Sequence, residues 1–274
     1  MKTVILMEDT CGNPQCEYEH GLSVYAETER HKILADTGAS EKTLKNAKRL
    51  GVDLSEVDTV VLSHGHYDHS GGIFAFRKIN QDAVIYMQQT ALGDYYHGDR
   101  YIGIDKRIAQ LPNVRLLTGD FQIDEELSVF TEIKGRRFWP QSNLRLSMLK
   151  AGQHVQDEFI HEQCLVIHGE KKLLISGCAH NGILNILDRY EEKYGGWPDV
   201  VVSGFHMMKK ADYDEAEEEI IRQTAEELKR KNTVFYTGHC TGQKAIDIMQ
   251  PIMGEKLVQI HCGMELVIKD GLSL

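Results

Sequence analysis

Three histidines and one aspartate fall within the stretch His64-Gly65-His66-Tyr67-Asp68-His69. They follow the apolar run Val60-Val61-Leu62, so a buried strand stops at a loop dense in metal-binding side chains. Imidazole and carboxylate are the usual donors to Zn²⁺, Fe²⁺ or Mn²⁺. On a tight loop, residues i and i+2 can turn toward one ion while i+4 and i+5 reach a second beside it. The spacing therefore predicts a dinuclear site, with His64 and His66 on one metal and Asp68 and His69 on the other. Such metals lie about 3.5–4 Å apart and share a water or hydroxide. Asp68 is thus a candidate for catalysis as well as binding. Gly71 and Gly72 suit a close backbone turn before a short helix, Ile73 to Ile79.

The elements that must carry this loop can be read along the chain. Met1 to Glu8 is apolar enough for a strand, and Leu22 to Glu27 with Lys32 to Ala35 reads as a hairpin ending at Asp36-Thr37-Gly38. Ser40 opens a helix with Leu44, Ala47 and Leu50 on one face and Gly51 as its stop. Val57 to Leu62 and Ala83 to Met87 are strands. Cys164 to His168 and Lys172 to Ser176 form a second hairpin, ending at Gly177-Cys178-Ala179-His180 before a helix, Asn181 to Glu192. The strand Asp199 to Ser203 leads to His206. An acidic helix, Tyr213 to Lys231, is followed by the strand Thr233 to Thr237, Gly238-His239-Cys240 and the helix Gln243 to Met249. Leu257 to Ile260 and Met264 to Ile268 complete the strands. Open α/β sheets bind ligands at the carboxyl ends of such strands.

Two stretches break the pattern. Gly93 to Arg107 is aromatic and charged without a clear period, and is either a surface excursion or a wall of a substrate pocket. In the second case its tyrosines would stack on a flat ring, and Arg100 or Arg107 would meet a phosphate. Lys134 to Pro140 joins basic residues to Phe138 and Trp139.

Composition narrows the classes. Lysine plus arginine number 31 against 41 aspartates and glutamates, a net charge of −10 that disfavours nucleic-acid partners. No apolar span of membrane length or signal-peptide pattern is present, so a soluble, cytoplasmic protein without membrane partners is expected. No linker divides the 274 residues, which predicts one domain over 1–274. The six cysteines are expected to be thiols. Cys11 and Cys16 look like a turn rather than half of a metal knuckle.

The loop at 64–69, together with Glu19-His20-Gly21-Leu22-Ser23, Leu34 to Gly38, Ile175 to Ile183 and Thr237 to Gly242 in that order, resembles the metallo-β-lactamase superfamily. Within it, the chain is similar to the branch that includes the archaeal dihydropterin aminobenzene riboside phosphate synthases. The resemblance implies a four-layer αββα sandwich and two divalent metals, zinc first, with iron, manganese or magnesium as alternatives. It implies that Asp36 lies under the metal loop and orients it, and that His239 is the last ligand. His206 is the runner-up, with a contact to substrate or an oxyanion as its favoured role. Many members carry a bridging aspartate near Cys178, and this chain has none. Either Cys178 ligates as a thiolate or His180 supplies the contact; His180 is favoured, which leaves Cys178 behind the ligands. For the intermediate histidine usual in the family, His154, His161 and Glu162 are all candidates. The Lys134 to Pro140 stretch departs from the Gly-Glu-Ile-Pro-Arg-like segment of the synthase branch.

The expected set is then His64, His66 and His180 at one metal, and Asp68, His69 and His239 at the other. Such a pair activates a water or steadies a leaving anion. The leading expectation is a metal-dependent hydrolase of a small phosphate- or ester-bearing molecule. Condensation of a dihydropterin diphosphate with an aminobenzene riboside phosphate is nearly tied with it, and a non-catalytic metal-binding sensor is the third reading. Oligomeric state has no signal in the sequence.

Overall fold

Alternation of apolar side chains sets the layers. In Leu173–Ile175 and Val200–Val202, Leu173, Ile175, Val200 and Val202 point to one face while Leu174 and Val201 point to the other. This is the two-residue period of a strand buried on both sides. The computed structural model describes residues 1–266. Among them the strands form a six-stranded, a seven-stranded and a four-stranded sheet.

The first sheet runs Lys2–Met7, Ser23–Glu27, Lys32–Ala35, Thr59–Val61, Val84–Gln88 and Val114–Leu117. Its first three strands pair antiparallel and the rest parallel. In the second sheet Leu257–Gln259, Val234–Thr237, Val200–Val202 and Leu173–Ile175 are parallel. Cys164–Ile167, Leu127–Phe130 and Phe121–Gln122 then continue it antiparallel.

Ile5, Val24, Ile33 and Val61 of the first sheet pack against Leu165, Ile175, Val202 and Tyr236 of the second. The outer face of the first sheet buries Val60, Ile85 and Met87 under Ala47 of the helix Lys42–Arg49 and Ile73 and Phe76 of the helix Ile73–Ile79. The outer face of the second sheet buries Val166, Val201 and Phe235 under Ile183–Tyr194, Glu215–Lys229 and Gln243–Met253. Helix, sheet, sheet, helix is the expected αββα order. Each fully buried Leu, Ile, Val or Phe contributes about 1.5–3 kcal/mol to holding the layers together.

The acidic helix is shorter than Tyr213 to Lys231 because Asp214 and Glu217 form a reciprocal capping box that fixes its start. Gly93 to Arg107 is not structureless. Tyr95–His97 pairs with Arg100–Tyr101 and with Leu146–Lys150 in the small sheet, in strands too short to show a period. Of the strand expected over Met264 to Ile268, only 264–266 are described. There Glu265 bridges Val4, and the Leu266 N–H donates to the Thr3 carbonyl at 2.9 Å. No helix among the described residues is long and apolar enough to cross a membrane.

The topology brings the chemistry together. Parallel strands of both sheets end at one rim, where Asp36 follows Lys32–Ala35, the histidine loop follows Thr59–Val61, and Cys178 and His180 follow Leu173–Ile175. His206 follows Val200–Val202, and His239 follows Val234–Thr237.

Candidate metal centre

Two groups of donors meet at this rim, and the hydrogen bonds behind them determine which ring nitrogens carry protons. In the first group, the Ser63 hydroxyl donates to Asp36 Oδ2 at 2.7 Å, so its oxygen accepts from His64 Nδ1 at 2.8 Å. Asn143 Oδ1 accepts from His180 Nδ1 at 3.1 Å while its amide nitrogen donates to the His180 carbonyl at 2.7 Å. Both imidazoles therefore present bare Nε2 lone pairs, and these face each other at 3.3 Å. His66 Nε2 is buried with no hydrogen-bond partner. The donor atoms of His64, His66 and His180 lie within 4.8 Å of one another. Two bare acceptors that face each other repel, the third ring nitrogen is left without a partner, and a cation would satisfy all three.

The second group repeats the logic. Asp36 Oδ2 accepts from His69 Nδ1 at 2.7 Å, and Asp9 Oδ1 accepts from His239 Nδ1 at 2.6 Å. Their Nε2 atoms then face each other at 3.3 Å. Asp68 Oδ2 lies 3.6 Å from the first and 3.5 Å from the second. Carboxylates behind imidazoles in this way set the tautomer and strengthen the ring as a ligand.

Backbone strain is concentrated at the same rim. Asp36, Ala179, His206 and His239 are non-glycine residues in the left-handed region, with φ of 58°, 50°, 50° and 49°. Each such residue costs about 1–3 kcal/mol and persists where surrounding structure enforces it. Enforcement is visible at His239, whose N–H donates to buried Glu8 Oε1 at 2.6 Å, and at His180 and Asn181, whose N–H groups donate to Glu162 at 2.6 and 2.9 Å. Gly177, at φ 59°, has no room for a Cβ, which would lie 2.3 Å from Ser63 Oγ.

Charge follows from burial and neighbours. Burial and the adjacent imidazoles push His64 and His180 well below their ordinary pKa, and His66 down to about 3, so all three are neutral donors. Burial would raise Asp68, but His69, His239 and His20 hold its carboxyl well below the usual range. Burial would depress His239, but Cys240, Asp68 and Asp9 push it well above its ordinary value. The second group is thus a pocket of negative potential in which a proton or a metal cation is favoured.

Both groups open onto a cavity of about 640 Å³ whose lining includes His20, His66, Asp68, His180, His206 and His239 together with Arg100, Arg145, Lys209 and Lys210. Lys209 is paired with Glu217. Arg145 and Lys210 have no carboxylate partner among the described residues. The cavity is cationic in a chain of net charge −10.

The family model of the metallo-beta-lactamase superfamily matches residues 18–139. The crystal structure of Tm1679, a metal-dependent hydrolase of the beta-lactamase superfamily, is 30% identical with a TM-score of 0.81, covering 98% of this chain and 100% of that one. The chain belongs to the metallo-beta-lactamase superfamily. It is also similar, at 29% identity over 96% of this chain and 95% of the relative, to the 7,8-dihydropterin-6-methyl-4-(beta-D-ribofuranosyl)-aminobenzene-5'-phosphate synthase of Methanocaldococcus jannaschii. YhfI of Bacillus subtilis shares the fold, at 13% identity and a TM-score of 0.56 over 97% of this chain and 98% of that one. Membership of the superfamily implies divalent metal binding, and family and relatives together point to an enzyme.

Against the superfamily pattern, the candidates sort clearly. His64, His66, Asp68, His69, His180 and His239 come together, and Asp36 lies behind His69. His161 is spent: its Nδ1 accepts the Gly65 N–H at 3.0 Å and its Nε2 donates to Asp157 at 3.2 Å. Glu162 is equally occupied, holding the His180 loop, and His154 is exposed and packs edge to face with Tyr96. Cys178 departs from the expectation. Its Sγ is not behind the ligands but among them, 3.1 Å from His69 Nε2. His206 lines the cavity with its ring 4.1 Å from that of His180, and burial followed by the neighbouring His66 and His239 push its pKa down to about 3. The Ser142 hydroxyl donates to the His206 carbonyl, so its oxygen accepts from His206 Nδ1 at 2.7 Å and Nε2 is left as an acceptor. An oxyanion requires a donor, so this tautomer does not suit the expected oxyanion role.

The insertion does wall the cavity, but through His97, Arg100 and Ile102 rather than its tyrosines. Tyr96 and Tyr101 pack edge to face, Tyr95 is buried, and Arg107 turns to Asp105 over Phe74. Lys134 to Pro140 stays off this cavity, with Arg137 paired to Asp188 and Glu227. Asp9 and His20 are functional-site residues that composition and spacing missed. The one available signal was the Glu19-His20-Gly21 stretch, which served only for the family resemblance.

Proposed function

We propose that the chain is a metal-dependent hydrolase of a small phosphate- or ester-bearing molecule. One metal position would be formed by His64, His66 and His180, and the other by Asp68, His69 and His239. The observation that carries this reading is the set of bare, mutually facing Nε2 atoms at a cationic cavity. The donors fit divalent ions of the zinc or iron type, since neutral imidazoles dominate and one carboxylate supplies charge. Divalent ions held there would lower the pKa of a bound water and polarise a carbonyl or phosphoryl oxygen. The chain's own groups do the rest. Arg100, Arg145 and Lys210 attract and orient the anionic end of the substrate. His206, neutral and with Nε2 as an acceptor, is placed to take a hydrogen bond from a donor group of the substrate.

The similarity to the synthase supports a second reading, in which a diphosphate leaves and the nucleophile is an aromatic acceptor rather than water. One experiment separates the two. Metal-reconstituted protein is given a dihydropterin-methyl diphosphate with and without the aminobenzene riboside phosphate, alongside phosphodiester and ester substrates. Pyrophosphate release that depends on the acceptor establishes the transferase. Turnover by water alone, abolished in His66→Ala, establishes the hydrolase. Turnover unaffected by that substitution would refute both readings.

A further inference from the structure

The second donor group contains one more imidazole than the sequence pointed to. Asp9 Oδ2 accepts from His20 Nδ1 at 2.8 Å, while its other oxygen accepts from His239 Nδ1. One carboxylate thus orders two imidazoles, whose ring centroids lie 4.7 Å apart. With Nδ1 protonated, His20 presents a bare Nε2, and that atom faces Asp68 Oδ2 at 3.4 Å. A lone pair held against a carboxylate oxygen is repulsive unless a cation lies between them.

Four of the six donor-to-donor distances in this group suit one small divalent cation. Four donors arranged tetrahedrally about 2.0–2.1 Å from one ion stand about 3.3–3.5 Å from one another. The contacts in this group are 3.3 Å for His69 to His239, 3.6 and 3.5 Å for Asp68 to those two rings, and 3.4 Å for Asp68 to His20. The chain is also built to hold His20 in place. The Gly21 N–H donates to Asp9 Oδ1 at 3.2 Å and the Leu22 N–H to the Asp68 carbonyl at 3.3 Å. A Cβ on Gly21 would lie 2.7 Å from that carbonyl oxygen, so only glycine lets the two segments approach this closely.

We propose that His20 is the fourth protein ligand of the second metal position, alongside Asp68, His69 and His239. The proposal rests on the metal reading above. Its consequence is a division of labour. The second position is closed by four side chains, as in a structural site, while the first has three histidines and keeps a place for water or substrate.

The test uses the full chain loaded with cobalt(II), with bound cobalt quantified and its visible absorption followed during titration with a chelator. The side chain of His20 is 46% exposed, so its replacement leaves the core intact. Wild type is expected to hold two ions. His20→Ala and His20→Gln are expected to hold the second about 100-fold more weakly, with the first unchanged and added imidazole restoring the second in His20→Ala. Two ions of unchanged affinity in both variants would overturn the assignment. So would loss of the second ion in Cys178→Ser but not in His20→Ala, which would give the fourth place to the thiolate. A wild-type chain that binds no cobalt would instead refute the metal reading itself.

Discussion

Replacing Asp36 by asparagine changes one atom type in a buried network, and its effect can be traced from the hydrogen bonds. Asp36 Oδ1 accepts the Ser63 N–H, and Oδ2 accepts both the Ser63 hydroxyl and His69 Nδ1–H, each at 2.7 Å. An asparagine retains one oxygen. If that oxygen stays on the Ser63 N–H, the amide NH₂ points at the Ser63 hydroxyl and at His69 Nδ1. The hydroxyl can rotate to accept, but His69 Nδ1 can accept only by moving its proton to Nε2. That places a hydrogen on the atom that faces His239 Nε2 and Cys178 Sγ. Hydrogen bonds to a charged group contribute about 1.5–3 kcal/mol each. Losing one and rearranging another should destabilise the metal-free chain by about 3 kcal/mol, read from urea unfolding. Metal affinity at the second position should fall about 10–100-fold, read by chelator competition. Unchanged affinity alongside the stability loss would refute the tautomer argument. An unchanged unfolding midpoint would refute the network itself.

Three other substitutions probe separate parts of the site and scaffold. Glu162→Gln removes an acceptor from the His180 and Asn181 N–H groups, so chelator competition should show weaker binding at the first position with the second unchanged, and unfolding a loss of about 2 kcal/mol. Arg145→Ala should raise KM for a phosphate-bearing substrate roughly tenfold with kcat nearly unchanged, and should leave an uncharged ester unaffected. His31 lies between Asp58 Oδ1 at 2.8 Å and Asp124 Oδ2 at 2.6 Å; burial would lower its pKa, but those two carboxylates raise it. A group raised on folding stabilises fully below its unfolded value, about 6.5, and loses that contribution as pH climbs through the folded value. His31→Asn should therefore cost on the order of 1 kcal/mol at pH 5.5 and progressively less toward pH 9, with a pH-independent cost refuting the charge argument.

What the sequence made legible and what it hid divide along a physical line. The donors at 64–69 were readable because a short loop forces its side chains into one neighbourhood, whatever the rest of the fold does. The core strands were readable because Val200–Val202 and Leu173–Ile175 are apolar at every position and fit between two apolar faces, while their order in αββα layers came from the family resemblance. Asp9 was not readable, because its partner His239 lies 230 positions away and they meet only when the two sheets stack. The insertion was hidden for a different reason: Arg100–Tyr101 is only two residues long, a single strand period that cannot repeat. His154, His161 and Glu162 show the limit most clearly. All three had suitable chemistry, and no spacing argument could separate them. His161 is excluded because both its nitrogens are already hydrogen-bonded, and Glu162 because its oxygens hold the backbone that presents His180. His20 is the converse, a residue noted only within the Glu19-His20-Gly21 stretch, whose proposed role follows from a bare nitrogen facing a carboxylate. A ligand in this fold is therefore identified less by its residue type than by whether its donor atom remains free once every neighbouring proton has been assigned.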